Sequence, residues 1–95
     1  MKLEDVRKEI DALDPQIKTL ILRRMDCSLE VAKAKQAAGE TTIYRRDREK
    51  AILDRLGADV PADRLPEYLA VVRKIMETSR MFQYGLLFDW NPDLF

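Results

Sequence analysis

The chain has 95 residues, 46% of them apolar and 36% charged, with 17 Lys and Arg balanced by 17 Asp and Glu. These values fit one folded domain, and the even charge leaves no global field to draw nucleic acid or a membrane surface, so neither is an expected partner. No His is present to serve as the commonest general acid-base group, and the lone Cys27 has neither a second thiol for a disulfide nor neighbouring ligands for a metal.

The N-terminal MKLEDVRKEI is charged from its second residue and lacks the apolar core of an export signal. No apolar run approaches the length of a membrane span, and a single free Cys suits a reducing compartment, so a cytoplasmic setting is expected.

Val6, Ile10, Leu13, Ile17 and Leu20 advance in alternating steps of four and three, which predicts a helix with one buried face from about Leu3 to Ala38. Gly39, Thr41 and Thr42 end it. Pro15 removes a backbone donor inside this helix and predicts a kink there, the alternative being a break into two helices. A helix of this length spans about 50 Å, whereas a compact chain of this size has a radius of gyration of about 13 Å. Its ends must overhang, and the same stripe from a second copy is the simplest cover, so an interlocked two-fold dimer is expected.

Continued past Leu20, the stripe reads Arg24, Cys27 or Ser28, Val31 and Lys35, which sets two cations where apolar side chains belong. A cation facing a core costs several kcal/mol, on the order of a lost ion pair, unless an anion meets it. Asp26 and Glu30 point elsewhere on the helix, so the anion comes from another element or from a ligand. Two readings stand side by side: the cations snorkel to water, or they converge on a small acidic molecule. Arg7 keeps the same heptad position but lies about 25 Å from Arg24 along the axis, beyond reach of a shared small ligand within one chain. Taken alone it reads as a surface ion pair with Glu4 or Asp11.

Arg46 to Leu56 predicts a short second helix, stopped by Gly57 and Pro61. Its YRRDREKA start places Arg45, Arg46, Arg48 and Glu49 together, either as a solvated face or as an anion site at a helix N-terminus. A third helix is predicted from Ala62 or Asp63 to about Leu87, with Pro66 in its first turn, where proline is tolerated. Its stripe also turns polar partway, at Ser79 and Gln83, an i,i+4 pair that serves either an interhelical contact or a ligand. The helical unit is expected to span residues 1–90, with 91–95 as a tail or linker stub.

The combination of LEDVRKEIDALDPQIKTLILRR, EVAKAK, RDRE and ETSRMFQ resembles the AroQ-class, all-helical chorismate mutases across nearly the whole chain to about Phe88. The resemblance implies an all-α fold of one long, one short and one long helix per chain, in an intertwined homodimer with two sites. It implies that chorismate is rearranged to prephenate in aromatic amino acid biosynthesis, with no cofactor and no metal. Matched position by position, the family's substrate-binding residues fall on Arg7, Arg24, Lys35, Arg48, Glu49, Ser79 and Gln83. Of these, Lys35, Gln83 and Arg24 carry the catalytic roles, and Arg7 is donated across the dimer interface. Where some relatives carry an Asp, this chain has Arg45, and Arg80 replaces a small apolar residue, either adding a carboxylate contact or pointing outward. Two other functions share these features: an isochorismate pyruvate-lyase on the same fold, and a non-catalytic helical dimerisation module.

Overall fold

A computed structural model describes residues 1–94. Three helices follow in chain order, α1 at Leu3–Ala37, α2 at Arg46–Gly57 and α3 at Leu65–Trp90, and a 3-10 turn at Pro92–Leu94 closes the described chain. The expectation of one long, one short and one long helix is met.

The ends of α1 follow from its sequence. Glu4 and Asp5 lie in its first turn, where the helix dipole favours anions, and Lys2 N donates to Asp5 Oδ2 at 3.3 Å. At the other end Gly39 adopts φ +69°, a left-handed setting that costs glycine nothing. Gly39 N then donates to Gln36 O and Glu40 N to Lys35 O, the paired bonds of a Schellman cap. This cap turns the chain back, so that the following loop crosses the C-terminal part of α1.

α1 runs unbroken through Pro15, which overturns the alternative of two separate helices. The proline deprives the Asp11 carbonyl of its helical donor, a loss that an exposed residue such as Asp11 tolerates because water can replace the bond. α3 begins later than expected because Arg64 N bonds Pro61 O, which ties residues 61–64 into a turn and leaves Arg64 as the cap. It also ends later, at Trp90, just before Pro92. Trp90 and Leu86 pack against a cluster of Ala32, Ile43 and Leu87, so residues 88–90 belong to the packed helix and not to a loose end. Within the expected tail, Pro92–Leu94 forms the 3-10 turn, and Phe95 lies outside the described residues.

α3 is the hub, packed against the C-terminal part of α1 on one side and against α2 on the other. The buried apolar residues are few: Ala32, Ile43, Val72, Met76 and Leu87. The N-terminal part of α1 is exposed along nearly all its length, without a packing partner among the described residues, and the molecule measures 56 × 26 × 17 Å with a radius of gyration of 16.9 Å. Ile17 is 52% exposed and Leu20 62%. An amphipathic stripe this open leaves unburied side chains each worth about 1.5–3 kcal/mol if covered.

Candidate active site

Where α1, α2 and α3 meet, they enclose a cavity of about 360 Å³. The 4-3-4 spacing of Arg24, Ser28, Val31 and Lys35 puts all four on its wall, α2 adds Arg48 and Glu49 from its first turn, and α3 adds Met76, Ser79, Arg80 and Gln83. The cations on the α1 stripe therefore face a cavity and not a packed core, which resolves the conflict in the sequence pattern. Arg24, Lys35, Arg45, Arg48 and Arg80 line it, and Glu49 is the single carboxylate among the lining residues. The net charge is positive and suits an acidic ligand.

A chain of hydroxyls joins α1 to α3. Ser28 Oγ and Ser79 Oγ lie 2.7 Å apart, Ser28 Oγ donates to Arg24 O at 3.2 Å, and Gln83 Nε2 donates to Ser79 Oγ at 3.2 Å. With Gln83 as first donor, the Ser79 proton goes to Ser28 and the Ser28 proton to the Arg24 carbonyl. Gln83 is only 8% exposed, and its Oε1 is buried with no partner among the described residues. An orphaned buried carbonyl costs about 1–3 kcal/mol. Turned over, the amide offers Ser79 its oxygen and places two N–H donors where the orphan oxygen stands. Either way, Gln83 keeps hydrogen-bonding capacity in reserve for a ligand.

Lys35 Nζ donates to the carbonyl oxygen of Thr42 at 2.7 Å, tying the end of α1 to the loop it leads into. Burial lowers its pKa from the ordinary lysine value; Glu40 opposes that shift and Arg45 adds to it. On the far wall Arg80 reaches from α3 to the Glu49 carboxylate on α2, and its guanidinium carbon lies 4.5 Å from the centroid of the Tyr44 ring. Arg80 therefore does not point outward but engages Glu49, a contact within the protein. Nothing local in the sequence joins Arg80 to Tyr44 or Glu49, because those contacts cross between elements.

Six of the expected site residues, Arg24, Lys35, Arg48, Glu49, Ser79 and Gln83, thus surround one cavity. Arg7 is not among its lining residues; it lies exposed on the open N-terminal half of α1. Arg46 is exposed and outside the cavity, whereas Arg45 lines it and pairs with Asp47 at 3.4 Å. Among the described residues no group of three or more His, Cys, Asp or Glu side chains is placed to hold a metal ion.

Residues 6–84 fit the chorismate mutase type II family. The chain belongs to that family. It is 36% identical over 61 residues to the intracellular chorismate mutase of Mycobacterium tuberculosis, an alignment covering 61% of this chain and 57% of that protein. To the intracellular chorismate mutase of Mycolicibacterium smegmatis it is 37% identical over 54 residues, 57% of this chain and 51% of that protein. The chain spans about half the length of the curated relatives it matches. No solved structure matches it. As a type II chorismate mutase family member it has the all-α architecture of three helices without strands among the described residues. No helix among them is long and apolar enough to cross a membrane.

Proposed function

We propose that this chain is a chorismate mutase, converting chorismate to prephenate by an intramolecular rearrangement in which a C–O bond breaks as a C–C bond forms. The observation that carries this reading is the cavity wall: five cations against one carboxylate, with the buried Gln83 holding an unpartnered amide oxygen. A small dicarboxylate bearing a hydroxyl fits that chemistry. Residues 1–90 form the functional unit in this reading, residues 91–95 its tail, and a cytoplasmic setting agrees with relatives named intracellular.

Arg24 and Arg48 bind the carboxylates of the substrate through charge-assisted, bidentate contacts, and Ser79 turns its single proton from Ser28 to a substrate carboxylate on binding. Holding the flexible enolpyruvyl arm over the ring in a chair-like conformer spends the entropy of alignment at binding and not at the barrier. As the ether bond stretches, negative charge develops on its oxygen. Lys35 and Gln83, the latter with its amide turned so that its N–H groups face the cavity, are the donors for that charge and stabilise the transition state more than the ground state. Glu49 accepts a hydrogen bond from the ring hydroxyl. None of these steps requires a proton to leave the protein.

Arg7 enters the site from a second copy. The exposed stripe of Ile10, Leu13, Ile17 and Leu20 supports an intertwined homodimer. So does an apolar hollow of about 320 Å³ between α1 and α3, lined by Ile21, Met25, Val71 and Ile75, which shares Arg24, Ser28 and Ser79 with the cavity. In that assembly the partner subunit's Arg7 reaches the site that Arg24 of the same chain cannot share with its own Arg7.

The test is the disappearance of chorismate on incubation with the purified chain, with prephenate recovered as product. Isochorismate is run in parallel. Release of pyruvate from isochorismate without prephenate formation from chorismate would assign the lyase activity instead, and turnover of neither would overturn the enzymatic reading.

A further inference from the structure

The contact between Arg80 and Glu49 spans two helices and sits inside the cavity wall, with the two side chains 26% and 19% exposed. Arg80 Nη1 engages Oε1 of Glu49, and among the described residues nothing donates to Oε2. The aromatic face of Tyr44 backs the guanidinium from the loop after α1. Three elements therefore meet at one guanidinium: α3 supplies it, the loop stacks on it and α2 binds it. Stacking fixes the plane of an arginine fork, and a fixed fork fixes the carboxylate that it grips.

We propose that Arg80 is a positioning and specificity residue for the ring hydroxyl of the substrate, acting through Glu49. This rests on the chorismate mutase reading above. By occupying Oε1, Arg80 sets the rotation of the carboxylate and leaves Oε2 as the acceptor for a hydroxyl in the cavity. A dicarboxylate with the hydroxyl gains a contact to an oriented, ionically supported acceptor. One without it leaves that acceptor unpaired, and the discrimination comes from that loss.

The test is calorimetric binding of two probes, an oxabicyclic dicarboxylate that mimics the chair-like transition state and the same compound lacking its ring hydroxyl. The proteins are the wild-type chain, Arg80→Met, Arg80→Lys, Glu49→Gln and the double variant. Wild type is expected to prefer the hydroxyl-bearing probe by about tenfold or more. Arg80→Met is expected to abolish most of that preference while leaving the hydroxyl-free probe within about twofold, and Arg80→Lys to restore part of it, since an ammonium still pairs with the carboxylate but does not fix its plane. In the Glu49→Gln background, removing Arg80 is expected to change the preference no further.

Equal weakening of both probes by Arg80→Met would mean that Arg80 binds a ligand carboxylate directly and would overturn the proposal, as would an unchanged preference. Circular dichroism checks that each variant folds, and Arg80→Lys carries the test if Arg80→Met does not. Wild type that binds the probes with the expected preference but leaves chorismate untouched overturns only the proposed reaction. Wild type that binds neither probe overturns both.

Discussion

Ser28 on α1 and Ser79 on α3 stand with their hydroxyl oxygens 2.7 Å apart, the direct polar bridge between the two long helices. Because Gln83 bonds the same Ser79, one turn away on α3, the proposed catalytic amide is tied through Ser79 to the Ser28 hydroxyl on α1. Ser28→Ala removes the acceptor of Ser79 and frees that hydroxyl to turn. The expected outcome is a drop in kcat of about threefold with KM little changed, and a loss of about 1 kcal/mol of stability for one buried hydrogen bond. Steady-state kinetics and urea unfolding check it. A KM effect alone would place Ser28 in uniform substrate binding.

Lys35 gives the rate a pH dependence whose sign follows from its surroundings. Burial, reinforced by Arg45 and opposed by Glu40, lowers its pKa in the free protein. A bound dianion favours the charged form and raises it. The alkaline fall in kcat/KM, which reports the free protein, is therefore expected at lower pH than the fall in kcat, with both curves flat between about pH 6 and 8, well below the ordinary lysine value of about 10.4. The stability effect runs the other way. Below its lowered folded pKa the ammonium is charged in both states and its desolvation opposes folding; that cost is relieved as pH rises from the folded value to the unfolded one. Coincident alkaline limbs for kcat and kcat/KM would remove Lys35 from the reaction.

Lys35 and Arg46 flank the same turn, but only Lys35 lines the cavity. Lys35→Ala is expected to lower kcat at least about a hundredfold, the loss typical of one donor to a developing anion. The melting temperature is expected to fall only slightly, because the lost bond to Thr42 O is largely exposed to solvent and is worth at most about 1 kcal/mol. Arg46→Ala is expected to leave both quantities near wild type. A Lys35→Ala protein with wild-type kcat would make the lysine a structural tie for the loop.

The open stripe on α1 predicts association. Sedimentation is expected to give twice the chain mass at micromolar concentration, and Ile17→Glu, which places a charge in the middle of the exposed stripe, is expected to yield monomer without activity. Arg7→Ala and Arg24→Ala are each expected to be inactive alone. Refolded together, they should recover part of the activity, because a mixed dimer contains one site with both arginines. An active monomer would exclude a site shared between copies.

The sequence by itself determined what depends on helical geometry within one element. With 3.6 residues per turn, Arg24, Ser28 and Lys35 fall on one azimuth, and Ser79 and Gln83 lie one turn apart, wherever the helices go. Gly39 ends α1 because a left-handed residue is needed there, and that too is local. Helix ends were less legible where turns compete: the 61–64 turn delays α3, and the burial of Trp90 against Ala32, Ile43 and Leu87 carries it past Leu87. Only the tertiary structure decided that Ser28 meets Ser79, that Lys35 ties down Thr42 and that Arg80 takes Glu49 over the ring of Tyr44. Those contacts depend on the distance and rotation between elements, which are set by packing around Ala32, Val72 and Met76 and leave no trace in the periodicity of either helix alone.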